Sequence, residues 1–151
     1  MSYDYNLAPA SHDPALSVTP LWQGRWSLAV PSRSGRTTGT SADVLGAFAD
    51  RDWIVNSRNT GDEQVVRTLA ALAGFEPRIT QRADSLSLVQ DMILAGLGVA
   101  LLPGSYPKTT GISLRRLPDP EPRLRAHALT RRGRPTWPPL RLLLTLLSSR
   151  R

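Results

Sequence analysis

The 151-residue chain has no cysteine, which excludes disulfides, thiolate metal ligands and a cysteine nucleophile. Its two histidines, His12 and His127, stand 115 positions apart, so no short motif pairs them for metal binding or base catalysis. No metal and no cofactor are expected. No apolar run approaches the roughly 18 residues that a membrane-spanning helix needs. The opening "MSYDYNLAPASHD" also lacks the basic-then-apolar order of an export signal. The expectation is a soluble, cytoplasmic protein with no membrane partner. Lysine occurs only as Lys108, so the positive charge is almost entirely arginine.

What is present is enough for a core: 40% of the residues are hydrophobic, which suits one compact domain or two small lobes. The net charge of +7 is uneven. Residues 115–151 hold ten arginines against only Asp119 and Glu121, leaving the rest of the chain near neutrality. Those arginines fall as pairs such as Arg115/Arg116 and Arg131/Arg132, without interleaved aromatics or a recognisable reading helix. They read as a solvated basic face in preference to a nucleic-acid surface.

The middle of the chain alternates. "WIVN" at 53–56 is a short apolar run with β-branched residues, a buried strand by pattern. A helix follows: Thr60 and Glu63 have capping-box spacing, Val65, Leu69, Leu72 and Ala73 form a stripe, and Gly74 then Pro77 end it. "RITQRA" at 78–83 reads as a second strand. Asp84 or Ser85 can cap a second helix with Leu86, Val89 and Ile93 on one face, and Gly96 closes it before a third strand, "VALLP" at 99–103. Strand, helix, strand, helix, strand with short connections implies an α/β fold with a parallel sheet. Gly96 and Gly98 let the chain leave the helix and re-enter the sheet within a few residues.

Direction then locates a candidate site. In an open parallel sheet all strands end on one edge, which gathers Asn56, Ser57 and Arg58, then Asp84 and Ser85, then Pro103, Gly104 and Ser105. Two of these loops enter helix N-termini, whose free N–H groups and positive dipole ends favour a carboxylate or phosphate, and Arg58 adds a fixed positive charge. A small anion fits best. Each residue taken alone is better served by a bland role, Ser85 and Thr60 as caps and Arg58 as a solvated charge. The flanks supply further strands, "RWSLAVP" at 25–31, "ISLRRL" at 112–117 and "RLRAHALT" at 123–130. "PPLRLLLTLLSSRR" closes the chain as a helix with Leu140, Leu143, Leu144 and Leu147 as its apolar face.

The stretch "LAGFEPRITQRADSLSLVQDMILAGLGVALLP", with "DWIV" before it, "LWQGRWSLAVP" upstream and "RRGRPTWPPLRLLLTLL" at the end, resembles the effector-binding domain of LysR-type transcriptional regulators. The likeness is specific at 72–103 and weaker over the rest of 16–148. It implies an α/β, periplasmic-binding-protein type II-like fold of two lobes, joined by crossover strands and holding a small effector between them. On that pattern residues 1–31 are part of lobe one with a crossover strand, 32–105 are lobe two, and 106–151 return to lobe one and the C-terminal helix. The implied effector contacts are Asn56, Ser57, Asp84, Ser85 and Leu86, beside Arg58 and Pro103 from the strand-end reading.

The chain departs from the family pattern by lacking its winged helix-turn-helix and the first half of lobe one, and it has "VPSRSGRTTG" at 30–39 where a His-Pro is common. The expectation is a truncated regulator or fragment that touches DNA only through a helix-turn-helix absent from this chain, forms homodimers through the effector domain, and is not an enzyme. Asp84 beside Ser85 without a nearby histidine is a poor catalytic pair. A solute-binding protein of the same fold is the alternative.

Overall fold

A computed structural model describes residues 14–56, 60–132 and 137–149. In chain order the described elements are β1 (Leu16–Pro31), α1 (Ser41–Gly46), β2 (Asp52–Asn56), α2 (Thr60–Leu72), β3 (Arg78–Ala83), α3 (Leu86–Leu94), β4 (Ala100–Pro103), β5 (Ile112–Arg116), β6 (Arg123–Arg131) and α4 (Pro138–Ser148). The α/β order expected over 53–103 is present.

The sheet is mixed where the sequence pattern implied a parallel one. β2 and β3 are parallel, with Asn56 opposite Ala83 at their carboxyl ends. β4 touches β2 through a single parallel bridge, Trp53 to Val99, and pairs antiparallel with β1 from Trp26–Pro103 to Ala29–Ala100. β5 pairs antiparallel with the other edge of β1, from Ser27–Arg116 to Pro31–Ile112. The short apolar run of β4 is buried as expected, but β1 supplies its ladder. Such a partner, distant in the chain, leaves no local trace in β4 itself.

β1 is also longer than the expected 25–31 strand. Its first half pairs with β6 from Leu16–Arg131 to Arg25–Arg123, with an irregularity between Pro20 and Trp22. Proline cannot donate to a ladder, and the break in register falls where Pro20 sits. One strand thus serves two structures, a ribbon with β6 and a covered sheet with β4 and β5.

Two apolar clusters sandwich that sheet. On one side Trp26, Leu28, Val30, Trp53, Val55 and Leu101 meet Val44 and Leu45 of α1 and Val65, Val66 and Leu69 of α2. On the other, Ala29, Ile54, Ala83, Ala100 and Leu102 meet Val89 and Ile93 of α3. α3 uses the face expected of it, with Leu86 partly buried at its start. In α2 the buried stripe runs through Val65, Val66, Leu69 and Ala70 and Ala73 packs partly buried against it as expected, while Leu72, expected on the same face, is half exposed.

α1 falls in a stretch whose sequence carries no strong periodicity. Thr40 and Asp43 form a reciprocal capping box, the Thr40 side chain accepting from the Asp43 N–H and the Asp43 carboxylate accepting from the Thr40 N–H at 2.8 Å. The Thr40 hydroxyl, which donates to the same carboxylate at 2.7 Å, and the Thr40 N–H together hold the Asp43 carboxyl below the usual carboxylate range. Ser41, fully buried, donates its hydroxyl to the Pro120 carbonyl at 2.7 Å and so ties the helix to the 119–120 turn. At the far end of α3, Gly96 has φ +80, the left-handed conformation expected there. Gly98 is needed for a different reason: a Cβ on it would lie 2.5 Å from the Asp52 carbonyl oxygen, so only glycine lets β2 and the start of β4 approach this closely.

Candidate functional site

Parallel pairing of β2 with β3, and the parallel bridge from β2 to β4, direct the carboxyl ends of all three strands to one edge. Asn56, the Asp84–Ser85 turn and Pro103 therefore share that edge, as strand direction required. Asn56 is the last residue of β2 and faces Ala83 across the ladder. Ser57 and Arg58 lie outside the described residues, as does the Thr60 side chain of the expected capping box.

Ser85 is the N-cap of α3. Its backbone is extended (φ −144, ψ 153), its Oγ accepts from the Leu88 N–H at 3.3 Å, and it lies 3.0 Å from the Ser87 hydroxyl. The first N–H groups of a helix have no partner within it, so this turn presents donors toward the sheet edge. Leu86 packs partly into the α3-side cluster. Pro103 ends β4 opposite Trp26, and its carbonyl accepts from the Tyr106 N–H at 2.9 Å to turn the chain away. Beyond it, Gln90 of α3 is buried and grips the same segment, donating to the Pro107 carbonyl at 3.2 Å and accepting from the Thr109 N–H at 2.7 Å.

Asp62 and Arg82, which the sequence pattern did not single out, stand close to this edge together with Glu63, expected only as a capping-box partner. Asp62, in the first turn of α2, is only 4% exposed, and burial pushes its carboxyl up to about 7. Its position three and four residues before Val65 and Val66 continues the buried stripe to the end of the helix, a signal readable in the sequence as a carboxylate in register with apolar positions. Glu63, one residue on, is paired with Arg82 near the carboxyl end of β3 and with Arg67 at 3.0 Å. Hydrogen bonds from the two arginines hold its carboxyl below the usual range. The Glu63–Arg82 pair staples the start of α2 to the end of β3.

The edge is continued by the crossover strands. The Gly104 N–H donates to the Arg25 carbonyl at 2.7 Å, so β1 at Arg25 lies directly beside the end of β4. A hollow of about 380 Å³ here is lined by Gln23, Gly24, Arg25, Arg116, Glu121 and Arg123. A second hollow, of about 420 Å³, lies at the opposite edge, among Arg33, Asp50, Asp52, Arg78 and Gly98. There Arg78 is engaged with Asp52 at 2.5 Å. Among the described residues no group of three or more histidine, aspartate or glutamate side chains could hold a metal ion. No helix there is long and apolar enough to cross a membrane.

Comparison with known proteins agrees with this architecture. The family model described as the LysR substrate binding domain matches residues 6–151, and the chain belongs to that family. It is 31% identical over 108 residues to a malonate utilization transcriptional regulator of Klebsiella pneumoniae, covering 70% of this chain and 35% of that protein. HinK, a LysR family transcriptional regulator from Pseudomonas aeruginosa, superposes with a TM-score of 0.71 at 20% identity, over 98% of this chain and 51% of that one. The effector-binding domain of QuiR, solved in complex with shikimate, gives 0.71 at 13% identity over 97% of this chain and 67% of that one. The chain thus spans about a third of the curated relative and about half of HinK. Its fold is that of LysR effector-binding domains, a periplasmic-binding-protein type II fold.

Proposed function

We propose that this chain is the small-molecule-sensing part of a LysR-type transcriptional regulator and that its effector is a small carboxylate or related anion. The observation that carries the reading is the meeting of Asn56, Asp84, Ser85, Leu86 and Pro103 at one sheet edge, with a helix N-terminus among them. Ser57 and Arg58 complete the proposed contact set from the loop after β2. Family membership supports a ligand-binding role over an enzymatic one. One relative regulates malonate utilization and another was solved with shikimate; both compounds are small carboxylic acids and set the first ligands to try.

On this reading residues 32–105 are the second lobe, with 1–31 and 106–151 belonging to the first. The domains pair as homodimers, any contact with DNA is made through a helix-turn-helix outside residues 6–151, and the compartment is the cytoplasm. The test is a thermal-shift series with malonate, shikimate and other small carboxylates. A ligand bound only to the native state at a hundred times its Kd raises stability by about 2.7 kcal/mol. A dose-dependent rise, weakened by Arg58→Ala more at low than at high salt, is expected. The absence of any bound carboxylate at the Asn56 and Ser85 loops would sink the site.

A further inference from the structure

Arg116 and Arg123 come from the basic third of the chain that reads in sequence as a solvated face, yet the fold draws them together with Arg25 around one acid. Arg25 pairs with Arg123 across β1 and β6, and Ser27 pairs with Arg116 across β1 and β5. Directly paired residues project to the same side, and Arg25 and Ser27 are two apart on one strand, so all three arginines share a face. Ala29, two further on, belongs to the α3-side cluster, so this is the face covered by α3.

Glu121 stands at the centre. Its Oε1 lies 3.6 Å from Arg25 Nη1 and 3.5 Å from Arg116 Nη2, and its Oε2 lies 3.0 Å from Arg123 Nη2. The Trp26 N–H donates to the Pro122 carbonyl at 2.9 Å and fixes the segment that carries it. Glu121 is 14% exposed, against 58% and 70% for Arg25 and Arg116. Two of its three contacts are longer than a good hydrogen bond, so one carboxylate serves three forked donors incompletely. The buried Arg123 Nε finds no hydrogen-bond partner among the described residues. Three guanidiniums against one carboxylate leave a surplus of two positive charges around a hollow of about 380 Å³.

We propose that Arg25, Arg116 and Arg123 form a binding site for a small dianionic oxyacid, either a dicarboxylate or a tetrahedral oxyanion, with Glu121 gathering the guanidiniums until a ligand competes for them. The surplus matches a dianion, and the donors in excess of Glu121's oxygens match a ligand with several acceptors. The site stands on its own residues and does not require an effector at the Asn56 and Ser85 loops.

The experiment is calorimetric titration of the chain with malonate, with sulfate, and with acetate as a monoanion of similar chemistry. Malonate or sulfate should bind about tenfold or more tightly than acetate; whichever dianion binds better identifies the ligand shape. Arg116→Ala, at the most exposed of the three, should weaken that dianion about tenfold without lowering the melting temperature. Glu121→Gln removes a competing charge at contact distance and should tighten it about fivefold. Equal weak binding of all three anions, an unchanged affinity in Arg116→Ala, or a loss of affinity in Glu121→Gln would each overturn the proposal. Ser85→Ala separates the two readings. Malonate binding lost in Ser85→Ala but kept in Arg116→Ala leaves the strand-end effector site standing and removes this one, and the reverse pattern does the opposite.

Discussion

The two halves of β1 divide the molecule into regions built on opposite principles. From Trp26 to Pro31 the strand lies between β4 and β5, with Leu28, Ala29 and Val30 fully buried and helices on both faces. From Leu16 to Arg25 its ladder partner among the described strands is β6, and no residue of that half, of β6 or of α4 is buried. Val18, Trp22 and Leu129 are about 40% exposed there, and Leu142, Leu143 and Leu146 are half exposed or more. In α4 the half-buried leucines are Leu140, Leu144 and Leu147, and Leu143, expected on the same face, points outward. The difference teaches where stability resides. The covered half closes its own core, whereas a two-stranded ribbon with one helix cannot bury both of its faces.

Breaking the covered half gives the largest effects. Leu69, 1% exposed and inside the α1/α2-side cluster, should cost about 2–5 kcal/mol when replaced by alanine. The paired substitution Leu142→Glu and Leu146→Glu in α4 should leave the melting transition of the core nearly unchanged. What it should abolish is concentration-dependent association, since those leucines offer exposed apolar surface to a second copy. Chemical denaturation reads the first and sedimentation velocity the second. A loss of core stability in the double variant, or association that survives it, would erase the contrast between the regions.

Asp62 makes the covered half sensitive to pH. Its carboxyl titrates near 7 when folded against 3.8 ordinarily, so the native state keeps a proton that the unfolded chain gives up. The group's contribution is full below about 4, declines as pH rises from 4 towards 7, and is gone above that. Asp62→Asn, which mimics the protonated form, should therefore melt higher than the parent at pH 8, by on the order of a few kcal/mol in stability, and converge with it at pH 4. Equal melting temperatures at pH 8 would show that the carboxylate is solvated after all.

The next step down in size is Gly96→Val. With φ +80 at the end of α3, a β-branched side chain strains the backbone by about 1–2 kcal/mol, although the nearest atom to an added Cβ, on Arg33, is 3.8 Å away. Thermal unfolding should show a loss from conformation alone, and an unchanged curve would refute the backbone account.

The contrast between the regions also explains what could be read from the chain. Between Trp53 and Pro103 each element is announced by its neighbours: Ser85 starts α3, Gly74 and Gly96 end helices, and Pro77 separates α2 from β3. These are local signals, and local backbone preferences decide them. The antiparallel partner of β4, the length of β1 through Pro20, and the six-residue α1 are set by contacts remote in sequence, so no periodicity marks them. The strand-end residues were legible because direction alone gathers Asn56, Ser85 and Pro103. The arginines around Glu121 were not, because Arg25 and Arg116 meet only through the register of three strands.

The smallest effect tests the candidate edge itself. Ser85 holds its Oγ on the Leu88 N–H at 3.3 Å, a long bond for a cap, and it also contacts the Ser87 hydroxyl. Removing a cap ordinarily costs about 1 kcal/mol, and the length of this one places Ser85→Ala at the lower end, about 0.5 kcal/mol. At about 2–4 °C per kcal/mol for a chain of this size, the ligand-free melting temperature should fall by about 1–2 °C. A hydroxyl that only caps α3 lowers the ligand-free and ligand-bound transitions equally and leaves affinity alone. A hydroxyl that also contacts the effector lowers affinity several-fold beyond that shift, because the ligand oxygen it served is left without its donor. Measuring malonate affinity and both melting temperatures on the same variant separates the two, and Ser85→Thr, which keeps the hydroxyl, should restore whichever role was lost. A Ser85→Ala protein with unchanged affinity for every carboxylate that binds the parent would reduce Ser85 to a helix cap and shift the search along the edge to Asn56 and the loop after β2.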